Sequence, residues 1–183
     1  MMPFFRGHAS RIGLAVALAT AAIDQASKLW LLFIFDLRAR GVVPLTPFLD
    51  LVLAWNTGIS FSLFRQDGDT GRWILLGLTV VAIVLLVVWL ARATSTATAV
   101  ALGLIIGGAV GNAIDRFAYG AVADFVRFHI TTETFEFNWA VFNIADAAIV
   151  FGVIVLLYDT LWGTPQKRPD HRQNGGGDAA VKP

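Results

Sequence analysis

The stretch "WILLGLTVVAIVLLVVWLA", Trp73 to Ala91, decides the fold. It contains no charge and carries a tryptophan near each end. Crossing about 30 Å of hydrocarbon takes roughly 20 apolar helical residues, and amphipathic indole rings favour the two interfaces, so the segment reads as a transmembrane helix.

The remainder of the chain agrees. Of 183 residues 56% are hydrophobic, and the mean hydropathy is +0.67, well outside the soluble range. Three further stretches have spanning length, Ile12 to Phe35, Thr98 to Phe117 and Phe137 to Tyr158. The expected fold is therefore a mainly α membrane protein of four transmembrane helices. Only "RATSTA" separates the second span from the third, which makes them antiparallel neighbours. An even number of spans puts both termini on one side.

Between the first two spans, "PFLDLVLAWNTGISFSLF" alternates apolar and polar residues around an Asn-Thr-Gly turn. That pattern predicts a small antiparallel β element, about residues 45–64, resting on the membrane. "RQDGDTGR" after it is a loop of turn formers. Residues 1–163 are expected to form one membrane domain, and the tail 164–183, almost without apolar residues, to be disordered.

Composition narrows the chemistry. A formal net charge of +1 shows no basic excess for nucleic acid. The absence of cysteine removes disulfides, thiolate nucleophiles and thiolate metal sites. His8, His129 and His171 lack metal-ligand spacing, and Ser60 and Ser62 have no base placed to activate them. No cofactor or metal is expected.

The start of the first span reads in two ways. "RIGLAVALATAAID" has the basic start and small residues of a cleavable signal peptide, yet "WLLFIF" restores apolar character within about a turn, as in a full-length helix. Asp24 and Lys28, at i, i+4 with the acid first, form a pair that makes insertion tolerable. With the termini inside, seven Lys and Arg lie on the inner side (Arg6, Arg11, Arg92, Lys167, Arg168, Arg172, Lys182). Six lie outside (Arg38, Arg40, Arg65, Arg72, Arg116, Arg127), a slight lean toward cytoplasmic termini.

Charged residues inside a span are costly and start as functional hypotheses. Asp146 is the sharpest, about 10 Å along the fourth span from Trp139 at 1.5 Å per residue, with no Lys or Arg in that span. Asn143, three residues earlier, shares its helix face. The structural alternative is a neutral Asp146 bonded across helices. In the third span Gly103, Gly107 and Gly111 form a small-residue stripe for helix packing, and Gly108, Asn112 and Arg116 form a second row that can face one site. Asp115 and Arg116 also fit a plainer role, marking the interface and reaching to water.

Asp124 follows in "FAYGAVADFVRF", too apolar for a solvated loop. Tyr119 to Phe128 is expected to fold back over the helix mouth as irregular backbone, which must then be shielded. Asp124 would there meet Asp146. Two adjacent carboxylates share a proton, so one activates water while the other protonates the leaving group, as in aspartyl proteases. Either can hold the proton on sequence grounds.

"DQASKLW", "NTGISFSLF", "GNAIDRFAYGAVADFVRF" and "FNIADAAI" resemble, in order and spacing, the motifs of the lipoprotein signal peptidase (signal peptidase II) family. The resemblance runs from Asp24 to about Ile149. It implies a bacterial inner-membrane aspartyl endopeptidase with cytoplasmic termini, a periplasmic β-cradle and a periplasmic loop over the active site. Its substrates would be diacylglyceryl-modified prolipoproteins, cut before the lipidated cysteine, with membrane lipid as surroundings; apart from the resemblance, the net charge gives no reason to expect nucleic acid, and a chain this small with one site is expected to work as a monomer. Asp124 and Asp146 match the catalytic pair; Asn56, Gly108, Asn112, Arg116 and Asn143 match supporting positions; Asp24 and Lys28 match the first-helix motif, and Asp115 is assigned a structural role. The resemblance also argues against cleavage after Ala22. Ile59 and Ala140 depart from the family pattern, where a small residue and a proline are usual, and bear on local shape near the substrate.

Two other classes compete. A proton-coupled transporter would use Asp24, Lys28 and Asp146 as a relay, but needs charges through the full membrane depth. A noncatalytic assembly protein would use the glycine stripe, leaving both carboxylates without a role.

Overall fold

The computed structural model describes residues 7–58 and 69–162. In chain order these form α1 (His8–Leu29), a wider π-helical turn (Trp30–Ile34), α2 (Leu37–Arg40), β1 (Val43–Thr46), β2 (Leu49–Asn56), α3 (Asp69–Arg92), α4 (Thr96–Tyr119), β3 (Val122–Thr131), β4 (Glu136–Asn138) and α5 (Ile144–Trp162). Among the described residues four helices are long and apolar enough to cross a membrane: His8–Ile34, Thr70–Arg92, Thr96–Tyr119 and Ile144–Trp162.

The expected glycine stripe is the seam between α1 and α4. A methyl group added at Gly107 would lie 2.5 Å from the Ala17 carbonyl oxygen; one at Gly103 would collide with the Gly13 carbonyl, and one at Gly111 with the Asp24 carboxylate. Without a water-driven hydrophobic force between lipid-embedded helices, such close backbone approach supplies the packing. Ala9, Ala17, Leu90, Ala99, Leu102 and Ile106 fill the core beside this seam. Gly108 and Gly152 do the same for α4 against α5, where an added methyl at Gly108 would lie 2.5 Å from the Ala145 carbonyl oxygen. α3 is apolar all round, and its Leu78, Val81, Val84 and Leu85 are exposed, as a lipid-facing helix requires.

Ser95 starts α4 by accepting the Thr98 N–H at 3.3 Å, so three residues turn the chain between α3 and α4. Gly120, at φ +81°, ends α4 in the left-handed conformation that glycine adopts without penalty. The chain then enters β3 rather than the irregular fold-back expected for Tyr119–Phe128. The strand-forming residues Val122, Phe125, Val126 and Phe128 explain the difference: extended backbone pairs with β2, the Phe125 and Val126 amides donate to the Phe142 carbonyl, and the Ala123 amide donates to Asp115.

The sheet has the order β1-β2-β3-β4, every pair antiparallel. Leu49 pairs with Phe128 and Asn56 with Val122, with a bulge between Leu51 and Ala54. Leu31, Leu37 and Phe125 anchor the sheet to the end of α1. The strand expected from Ile59 to Phe64, the departure at Ile59 and the tail 164–183 lie outside the described residues. The fourth span begins at Ile144, not Phe137, because residues 136–138 belong to β4.

Candidate active site

Five elements meet where the sheet joins the bundle. β3 carries Asp124, 2% exposed, and α5 carries Asp146 in its first turn. The depth of about 10 Å expected for Asp146 is therefore corrected: residues 139–143 are not helical, and Asp146 stands at the helix mouth.

Asn143 and Asp146 start α5 together. The Asn143 Oδ1 accepts the Asp146 N–H at 3.0 Å while the Asp146 Oδ2 accepts the Asn143 N–H at 3.2 Å, a reciprocal cap. The Asn143 amide also donates from Nδ2 to Asp124 Oδ1 at 2.6 Å. One residue thus touches both carboxyl groups. Asn112, from α4, donates from Nδ2 to Asp146 Oδ1 at 2.8 Å. Asn56, at the end of β2, donates to Asp124 Oδ2 at 3.2 Å while its own oxygen accepts the Gly58 N–H. Burial, and after it the negative charge of Asp146, pushes the Asp124 carboxyl up to about 6, against the lowering effect of the Asn56 and Asn143 hydrogen bonds and of the Lys28 charge.

Behind these residues lies a buried ionic cluster. Lys28, 2% exposed, sits 2.8 Å from Asp24 Oδ2 and 2.8 Å from Asp115 Oδ2, and donates to Asn112 Oδ1 at 3.2 Å. The pairing expected between Asp24 and Lys28 is present. The interfacial role considered for Asp115 is not: it is 1% exposed, accepts the Ala123 N–H at 3.1 Å, and so ties the start of β3 to α4. Asp24 accepts the Ala145 N–H at 3.0 Å, capping α5 from α1.

The remaining expected residues act less directly. Arg116 is within electrostatic range of Asp146, Asp124 and Asp115, but its long hydrogen bond, 3.5 Å, goes to the Asn112 carbonyl. Gly108 touches neither carboxyl group; it lets α5 come close enough to α4 for Asn112 to reach Asp146. Gln25 was not singled out by sequence, although it stands in the quoted "DQASKLW". It donates to the Gly111 carbonyl at 3.1 Å and to Asp115 Oδ1 at 2.9 Å. A cleft of about 560 Å³ opens from Asn56 and Asp146 along the apolar flank of α5, past Trp139, Phe142, Val150 and Ile154, and Ala140 is part of its lining.

Fold and site define a four-span membrane protein that holds two carboxyl groups, Asp124 buried and Asp146 half-buried, joined through one asparagine at the mouth of its bundle. The family model described as Signal peptidase (SPase) II matches residues 16–162, and the chain belongs to that family. It is 57% identical over 155 residues to a lipoprotein signal peptidase of Rhodopseudomonas palustris (strain TIE-1), covering 85% of this chain and 94% of that one. With a lipoprotein signal peptidase of Methylobacterium sp. (strain 4-46) it shares 49% identity over 172 residues, covering 94% and 96%. A solved bacterial membrane enzyme, 24% identical, superimposes with a TM-score of 0.66 over 85% of this chain and 93% of that one, a likeness of fold.

Proposed function

We propose that the chain is an aspartic endopeptidase of the bacterial inner membrane that removes the signal peptide from diacylglyceryl-modified prolipoproteins, cutting on the N-terminal side of the lipidated cysteine. The observation that carries the reading is Asn143, hydrogen-bonded to Asp124 and to Asp146 at once, because it holds two carboxyl groups at one place. The names of the relatives supply the substrate class.

In this reading water attacks the scissile carbonyl carbon, one carboxylate takes the water proton, and the other carboxyl group protonates the departing amine. The C–N bond breaks, leaving a carboxyl terminus on the signal peptide and a free amine on the lipidated cysteine, with no covalent intermediate. Asn56, Asn112 and Asn143 hold the pair, Gly108 permits their approach, and Arg116 contributes positive charge. The apolar cleft beside Asp146 accepts the substrate from the membrane. A lipid anchor keeps the scissile bond near the outer leaflet, which places the site on the periplasmic side and both termini in the cytoplasm. The protein works as a monomer.

The test incubates purified protein in detergent with a diacylglyceryl-modified prolipoprotein. Asp124→Asn and Asp146→Asn are each expected to lower the cleavage rate by about 10²–10⁴-fold, the usual worth of a positioned acid or base. Full activity in either variant sinks the dyad.

A further inference from the structure

The three amides around the carboxyl groups have only one way to face. Asn143 Oδ1 takes the Asp146 N–H, so its Nδ2 must point to Asp124 Oδ1 and, at 3.2 Å, to Asn112 Oδ1. Asn56 Oδ1 takes the Gly58 N–H, so its Nδ2 points to Asp124 Oδ2. Asn112 is oriented by Lys28. An ammonium has three donors and no acceptor, and Lys28 has three oxygens around it, on Asp24, Asp115 and Asn112. With its oxygen so taken, Asn112 can present only Nδ2 to Asp146.

The two carboxyl groups consequently differ. Asp146 stands in the first turn of α5, where the helix end carries partial positive charge, and receives a backbone N–H as well as the amide turned toward it by Lys28. Asp124 stands on a strand, buried, with neutral side-chain amides on both oxygens. The charged groups arranged around the pair are Asp24 and Lys28 from α1 and Asp115 and Arg116 from α4.

We propose that Lys28 is a positioning residue of the dyad: through the Asn112 amide it keeps Asp146 as the ionised carboxylate, and the shared proton rests on Asp124. Asp146 is then the base that activates water, and Asp124 the acid that protonates the leaving amine. Burial and the charge of Asp146 raise the pKa of Asp124, with the Lys28 charge acting in the opposite sense, and the net rise agrees with the proton resting on Asp124. The assignment of base and acid rests on the peptidase reading above; the placement of the proton does not.

Infrared difference spectroscopy of the full chain in detergent, at mildly acidic pH, reads the proton directly. The protonated-carboxyl stretching band is expected to be lost in Asp124→Asn and to survive in Asp146→Asn; the reverse pattern, or equal loss in both, overturns the placement. The contribution of Lys28 is read in Lys28→Met/Asp115→Asn, which removes the ammonium and one of its two acids together. Its acid-side limb of kcat against pH is expected to move up by about one unit, a tenfold loss at a pH below the limb, with KM unchanged. A uniform loss at every pH shows a merely structural Lys28 and refutes the positioning role. Should this variant fail to fold, Asn112→Leu, which removes the amide and keeps the cluster, is expected to give the same upward movement, and an unmoved limb counts against the proposal. The infrared measurement uses no substrate, so absent prolipoprotein cleavage with the expected band pattern removes the peptidase reading and leaves the proton placement standing.

Discussion

The Asp124 carboxyl is raised from its ordinary 3.8 to about 6 by burial and then by Asp146. A carboxyl group that holds its proton more tightly in the folded chain contributes stability that is full below its unfolded value and is lost as pH rises through its folded value. The apparent melting temperature in detergent is therefore expected to fall between pH 3.8 and about 6, and Asp124→Asn, which cannot ionise, to flatten that part of the curve. Asp50 behaves in the opposite sense. The Arg127 guanidinium, donating from Nη2 at 2.6 Å, holds Asp50 below the usual carboxylate range, so its contribution is present above the unfolded value and is lost as pH falls. His129 lies 3.0 Å from the same carboxylate without the alignment of a hydrogen bond. At this scale the sequence shows which carboxyl groups are costly, because a charge within an apolar run with no cation nearby in the chain stands out. It does not show where a distant partner comes from, and Asp115 looked interfacial because Lys28 belongs to another helix.

Helices reveal themselves by length and apolar content, so all four spans are legible, whereas their ends depend on caps that composition does not register, and the fourth starts at Ile144 instead of Phe137. α5 starts where Asn143 and Asp146 exchange hydrogen bonds, and a hydropathy window sees only that Phe137 and Trp139 are apolar. The β element was half legible: alternation marks Leu49–Asn56 as a strand, but pairing with Val122–Thr131 joins segments on either side of two spans. Glycines within helices separate into two kinds that sequence cannot distinguish. Gly77 has nothing within 4 Å of an added methyl group, whereas Gly108 faces a backbone oxygen. Gly77→Ala is expected to leave cleavage unchanged and to be neutral or stabilising by up to about 1 kcal/mol. Gly108→Ala is expected to destabilise by about 1–3 kcal/mol and to lower activity as α5 is pushed away from Asn112. Thermal unfolding in detergent, measured beside the cleavage rate, distinguishes them.

Across the whole molecule the proposed orientation puts the α3 start outside and the tail inside. The natural chain has no cysteine, so single substitutions report cleanly. Thr70→Cys is expected to react with an impermeant thiol reagent in intact spheroplasts, and Asn174→Cys only after the membrane is opened; the opposite pattern inverts the topology. The first and last spans are joined by Asp24 of α1, which holds Lys28 with one oxygen and the Ala145 amide of α5 with the other. During synthesis the first helix therefore enters the bilayer with an acceptor whose donor the ribosome has not yet made. That oxygen stays without its native partner until the final helix arrives, so a chain released too early carries an unsatisfied polar group in an apolar setting. The same contact that registers α5 against α1 thus distinguishes a finished protein from a truncated one.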